Sequence, residues 1–187
     1  MYFGFDTADY PTVLTVGANG SPVAAADILD TAVDAARLVT VADWQANVMG
    51  AVRVLKACQN RLKKARRGAS VVLFSTVAVA AGMPFHASIA AAKGAVEGLA
   101  RSLAAEWAPR IRVNVIAPSL TDTGLAADLL DGEAKREAAV QRHPLKRIGT
   151  PGEVADLAVF LLGDSAGWIT GQVIGVDGGV SALRFTR

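Results

Sequence analysis

The sequence predicts an α/β protein in which a parallel sheet of about four strands lies between two layers of helices. Three observations lead there. Short β-branched strands alternate with long helical segments, the order expected of βαβ units. The run Ser70-Val71-Val72-Leu73-Phe74 is nearly continuously apolar, as in a strand covered on both faces. The 187 residues are 52% hydrophobic and only 19% charged, so a full core is available and disorder is excluded. No repeat, low-complexity tract or linker divides the chain, and a single domain over 1–187 is expected.

The elements follow in order. Thr12 to Val16 is a short β-branched run ending in Gly17-Ala18-Asn19-Gly20, a strand and then a turn. Residues 24–37 are alanine-rich with helical spacing. Thr40-Val41-Ala42-Asp43 fits a capping box, and the helix it opens, 42–66, puts Val48, Ala51, Val52, Leu55, Cys58 and Leu62 on one stripe. Cys58 is therefore expected in the core. The strand at 70–74 comes next, then a helix over 87–108 with Ile89, Val96, Leu99, Leu103 and Trp107 on one side. Ala90, Ala91, Gly94, Ala95, Gly98 and Ala104 on the same helix allow close approach by a neighbour. Ile111 to Ile116 is a strand, Thr150-Pro151-Gly152-Glu153 is a helix start running to about Leu162, and Gln172 to Val176 is the last strand.

Composition narrows the partners. Nineteen Lys and Arg against 17 Asp and Glu leave +2, a balance that does not point to nucleic acid or a membrane surface. Arg61, Lys63, Lys64, Arg66 and Arg67 complement the dipole of a helix end and are read as solvated. One cysteine and two histidines give no internal disulfide and no Cys/His zinc site, so no metal is expected. No apolar stretch approaches the ~18 residues of a membrane span. The start Met1-Tyr2-Phe3-Gly4-Phe5-Asp6 is not a signal peptide, and a cytoplasmic protein is expected.

Sheets of this kind bind ligands at the carboxyl ends of their strands. Asn19-Gly20, Ser75-Thr76 and Pro118 to Thr123 arrive there, and Lys93 sits one turn into the long helix on the side of Ile89 and Val96. A lysine in an apolar stripe either packs its stem and sends the ammonium to water, or aims a cationic head at a ligand or a hydroxyl.

These residues resemble the short-chain dehydrogenase/reductases from about Thr12 to Leu183. Val71 to Thr76 looks like the family's strand ending in the catalytic serine. Ile89-Ala90-Ala91-Ala92-Lys93-Gly94-Ala95-Val96 looks like its active-site helix, and Arg112-Val113-Asn114-Val115-Ile116-Ala117-Pro118 like its next strand. Gly149 to Ala155 and Ile169 to Gly179 resemble its C-terminal signature. The resemblance implies a Rossmann-like, doubly wound sheet in three layers, α/β/α, and an NAD or NADP cofactor acting on a carbonyl or alcohol. In the family tyrosine transfers the proton, lysine lowers its pKa and holds the ribose, serine polarises the carbonyl and asparagine supports a water relay.

By that resemblance Thr76 stands for the serine with Ser75 beside it, Asn47 for the relay asparagine, and Lys93 for the lysine. The tyrosine position is Ile89, which transfers no proton; Tyr2 and Tyr10 lie far upstream. Ser88 and His86 are near, His86 being read either as a replacement acid or, more ordinarily, as a surface residue. On the cofactor side the resemblance assigns Asn19, Gly20, Lys93, Pro118, Thr121 and Thr123; Ser119 replaces the usual glycine after the proline. The threonines also have a plain reading as helix caps.

Gly17-Ala18-Asn19-Gly20 matches either the family's Asn-Asn-Ala-Gly after its fourth strand, with three strands missing before it, or a worn glycine-rich first turn with the middle of the domain removed. The spacing from Gly20 to Asn47 to Thr76 favours the first. Three readings stand: an NAD(P)-dependent oxidoreductase on a small-molecule substrate, a catalytically inactive oligomeric scaffold of the same fold, and a truncated relic without cofactor binding. The resemblance also implies self-association as dimer or tetramer through helices 42–66 and 87–108.

Overall fold

A computed structural model describes residues 40–184 and, before them, the strands Thr15–Val16 and Pro22–Val23. Strands β1 (Thr15–Val16) and β2 (Pro22–Val23) form their own two-stranded antiparallel sheet, with Thr15 opposite Val23 and Val16 opposite Pro22. They belong to a unit of residues 1–40, separate from a larger unit of 41–187. The described part of the expected strand 12–16 is thus one arm of an antiparallel pair. The helix expected over 24–37, and Asn19 and Gly20, lie outside the described residues.

The larger unit opens with helix α1, built from consecutive stretches Val41–Asp43, Trp44–Met49 and Gly50–Lys64. The middle stretch is π-helical. There the Asn47 side-chain amide donates to the Asp43 carbonyl at 2.9 Å, an insertion of the kind that loosens an i→i−4 ladder. Beyond it come β3 (Ala69–Phe74), the short α2 (Ala78–Ala81), the long α3 (Ala87–Trp107) and β4 (Ile111–Pro118). Then follow α4 (Ala127–Leu130), α5 (Glu133–Arg142), α6 (Pro151–Leu162) and β5 (Val173–Val176). Helices α4 and α5 were not anticipated: their sequence is charged and short of a continuous apolar stripe, so periodicity gives little signal.

The sheet order is β3-β4-β5, all parallel, with Ala69 beside Ile111, Phe74 beside Ile116, Val115 beside Val173 and Pro118 beside Val176. Alternation along the strands sorts the core into two faces. Ala69, Val71 and Leu73 of β3 and Ile111, Val113 and Val115 of β4 pack with Leu55 and Leu62 of α1 and Ala100, Ala104 and Trp107 of α3. The opposite face carries Val72, Ile116, Ile174 and Val176 against Val154, Leu157, Ala158 and Leu161 of α6. Helices therefore cover both faces, and the three-layer α/β/α order is established around three described parallel strands.

Two polar residues lock the second face. Asn114, fully buried in the central strand, donates to Ile169 O at 2.9 Å and accepts from Gln172 N at 3.1 Å, fixing the approach to β5. Arg112 donates to Leu161 O at 2.8 Å and Gly163 O at 2.9 Å, satisfying carbonyls at the end of α6. That helix begins as its sequence predicts. Thr150 Oγ1 accepts from Glu153 N at 3.4 Å while the Glu153 carboxylate accepts from Thr150 N at 2.8 Å, with Pro151 at the first helical position.

Cys58 is exposed, not in the core. The inward face of α1 runs through Val48, Val52, Leu55, Gln59 and Leu62, so the turn after Leu55 is closed by Gln59 at i+4 and Cys58 at i+3 falls outside it. On α3 the deepest row is Ala92, Val96, Ala100 and Ala104, small residues that bring the helix close to the sheet; Leu99 and Leu103 flank it.

Candidate active site

The carboxyl ends of β3 and β4 carry the residues singled out in the sequence. The loop leaving β3 is laced to β4 by Ser75 N donating to Ile116 O at 2.8 Å and Val77 N to Pro118 O at 3.1 Å. This backbone pairing fixes Ser75 and Thr76 at the sheet edge. The Ser75 hydroxyl turns inward and donates to Glu97 Oε1 of α3 at 2.6 Å, with both side chains buried. Thr76 Oγ1 accepts from Ala78 N, at the start of the short α2, at 3.3 Å.

Lys93 approaches the same edge from α3. Its ammonium donates to Phe74 O, the last carbonyl of β3, at 2.9 Å. The side chain is half-buried, and burial lowers its pKa from the usual lysine value. An ammonium has three donors, so one bond to Phe74 O leaves capacity for a ligand's hydroxyls. One turn earlier on α3 stands Ile89, half-buried and aliphatic. Ser88, its neighbour, donates to Asp43 Oδ2 of α1 at 2.6 Å, tying the two long helices together. Asn47 lies on α1 in the π-helical stretch. His86 precedes α3, exposed, with Nδ1 2.7 Å from Pro84 O; its ring is engaged with its own loop, which favours the surface reading.

Beyond Pro118 the chain is held by Gly149: Gly149 N donates to Leu120 O at 3.3 Å and Asp122 N to Gly149 O at 2.9 Å, bridging Thr121 to Gly149. Thr121 Oγ1 donates to Ser119 O at 3.0 Å. Thr123 is exposed at the start of the turn Gly124–Ala126 and makes no side-chain cap bond, so neither threonine serves as the cap that the plain reading supposed.

Two functional candidates escaped the sequence reading. Glu97 is four residues after Lys93 in an otherwise small, apolar row, where a carboxylate reads as surface until Ser75 is placed opposite. Ser119 Oγ lies 2.9 Å from Nε2 of His143, a contact between residues 24 apart that only the fold creates. Among the described residues no group of His, Cys, Asp or Glu is placed to hold a metal ion, and no helix is long and apolar enough to cross a membrane.

An open parallel sheet with helices on both faces, hydroxyls at its carboxyl edge and a half-buried lysine reaching that edge from the next helix defines a Rossmann-like α/β fold with a candidate ligand site at that edge. Comparison with known proteins makes this specific. The family model described as enoyl-(acyl carrier protein) reductase matches residues 14–181. The inactive 2-(S)-hydroxypropyl-CoM dehydrogenase 2 of Xanthobacter autotrophicus is 41% identical over 142 residues, covering 73% of this chain and 61% of that protein. The 3-oxoacyl-[acyl-carrier-protein] reductase of Thermotoga maritima is 40% identical over 143 residues, covering 74% and 57%. A crystal structure of a gluconate 5-dehydrogenase from Burkholderia cenocepacia, in complex with NADP and tartrate, superposes with TM-score 0.70 at 30% identity, covering 77% of this chain and 58% of that one.

The chain belongs to the short-chain dehydrogenase/reductase family, and it spans about three-fifths of the length of these relatives.

Proposed function

We propose that this chain is an oxidoreductase-type domain that keeps the nicotinamide side of an NAD or NADP site and has lost proton transfer by the family's usual route. The observation that carries this is Ile89, one helical turn before a desolvated Lys93. The lysine whose charge would lower a phenol's pKa is in place, and the phenol is an alkyl group.

The residues fit the nicotinamide half of a dinucleotide. Lys93 keeps donors for ribose hydroxyls, and Pro118, Thr121 and Thr123 border the loop where the carboxamide and phosphate would lie, with Thr123 exposed. Asn19 and Gly20, which the resemblance assigns to the cofactor, lie outside the described residues. When bound, the cofactor supplies a hydride to a small carbonyl substrate or takes one from an alcohol. Thr76, Ser75 and Asn47 remain the proposed polarising and relay residues. Of these, Ser75 commits its proton to Glu97, leaving Thr76, whose hydroxyl proton is not used by its bond from Ala78 N, as the better donor to a carbonyl.

A second reading, a catalytically inactive self-associating scaffold, is favoured by the same Ile89. Family-like pairing through the exposed faces of α1 and α3 and a cytoplasmic setting belong to both readings. Calorimetric titration with NADH and NADPH separates them. Micromolar binding with a folded protein supports the oxidoreductase reading, and Ile89→Tyr should then raise carbonyl reduction above the wild type. No heat up to millimolar cofactor overturns the cofactor site and leaves the scaffold.

A further inference from the structure

The substitution of serine for the family's glycine after Pro118 coincides with a buried histidine on a different element. His143, at the end of α5, is almost fully buried. Its Nδ1 is 2.7 Å from the carbonyl of Ala139, which only accepts, so Nδ1 carries a proton. In the neutral ring Nε2 is then the acceptor, and the group facing it at 2.9 Å is the Ser119 hydroxyl. Nucleophile, base and a third group that orients the base are thus in line, the arrangement that activates serine toward acyl groups. Asp177 is not the orienting group, because its carboxylate accepts from Gly179 N at 2.8 Å and from both the amide and hydroxyl of Ser181.

The pair opens on a cavity of about 350 Å³ lined by Ser119, Leu120, His143, Leu145 and the segment Gly175 to Gly179. That volume accommodates a small ligand. Gly178, at φ +60°, brings bare backbone against the His143 ring: a Cβ there would lie 3.5 Å from its Cδ2. The Arg147–Glu153 ion pair closes part of the wall.

We propose that Ser119 and His143 form a nucleophilic dyad that takes the acyl group of short-chain carboxylic esters. Ser119 Oγ attacks the ester carbonyl carbon while Nε2 of His143 accepts its proton. The tetrahedral adduct collapses, the C–O bond to the alcohol breaks, and the alcohol oxygen leaves with that proton. Water then attacks the acyl-Ser119 carbonyl, again losing a proton to His143. The acid departs and Ser119 regains its hydroxyl, so no oxidant or reductant is consumed.

The test uses p-nitrophenyl acetate with the full chain, following p-nitrophenolate release and locating the acetyl group by peptide mass spectrometry. A stoichiometric burst with acetyl on Ser119 is expected. His143→Gln, checked for folding by circular dichroism, should slow the burst by ~100-fold or more; Ser119→Ala should abolish it. Acetylation confined to lysines, Cys58 or the amino terminus with Ser119 unmodified overturns the proposal. A folded His143→Gln protein that acetylates Ser119 at the wild-type rate overturns it equally. The wild-type map decides the matter even where a variant does not fold.

Discussion

Ser75 and Glu97 are joined across the interface of β3's exit loop and α3 by a 2.6 Å hydrogen bond from the hydroxyl to the carboxylate, with both side chains buried. Arg101 Nη1 lies 3.9 Å from the same carboxylate, but its side chain is mostly exposed and contributes little. The hydroxyl beside the family's serine position, which Thr76 occupies, is therefore a structural partner. Ser75→Ala leaves the carboxylate buried without this donor and should lower unfolding stability by ~1–3 kcal/mol. Glu97→Gln, which still accepts from Ser75, should cost less. Urea denaturation midpoints check the order, and equal losses would contradict it.

The start of α6 gives a pH signature. Glu153 has its pKa lowered from 4.5 to about 2, first by hydrogen bonds from Arg147 and then by the Thr150 amide. A carboxyl with a depressed folded pKa contributes stability that is present above its unfolded value and lost as pH falls through its folded value. Glu153→Gln should therefore melt below the wild type at pH above about 4.5, and the gap should close as pH approaches about 2. A gap independent of pH would contradict the assignment.

Ile89→Tyr places a phenol one turn from the Lys93 ammonium. Opposite charge favours the phenolate, so this phenol should titrate below the ordinary ~10. Ultraviolet difference titration against the wild type reads it directly, because the chain has only two other tyrosines. Adding Lys93→Met should move the titration upward again; no movement would show that Lys93 does not face that position.

Gly68 and Gly98 should respond oppositely to alanine. Gly68 has φ +82°, and a Cβ there would meet Arg110 O at 2.8 Å, so Gly68→Ala should destabilise by roughly 1–3 kcal/mol or more. Gly98, within α3, has open space at its Cβ, and Gly98→Ala should stabilise by ~0.5–1 kcal/mol. Thermal melts of the two variants check both signs.

Self-association through α1 and α3 should appear in sedimentation as a dimer or tetramer at micromolar concentration. Gly98→Arg, on the exposed side of α3, should shift it toward monomer with the melt retained. A clean wild-type monomer would remove this expectation.

Much of this chain is written locally. Thr150-Pro151-Gly152-Glu153 carries its own capping chemistry, and α6 begins there because four adjacent residues satisfy its free amides. The apolar runs of β3 and β4 identify themselves as strands covered on both faces, and the family likeness rests on contiguous motifs such as Arg112 to Pro118. The antiparallel pairing of Thr15–Val16 was not legible, because a two-residue strand carries no information about its partner. Cys58 was misplaced because a stripe defined by i+3 and i+4 spacing does not say which of two neighbouring residues turns inward.

The alternation of elements, the family and the alkyl group at Ile89 could all be read from the chain before it folds. These depend on residue identity and short spacings. Tertiary structure alone decided that Ser75 spends its proton on Glu97, that Lys93 is held at the end of β3 by Phe74 O, and that Ser119 meets His143. Each of those contacts joins residues about twenty positions apart, and their directions are set by packing of helices on a sheet, which no local pattern encodes.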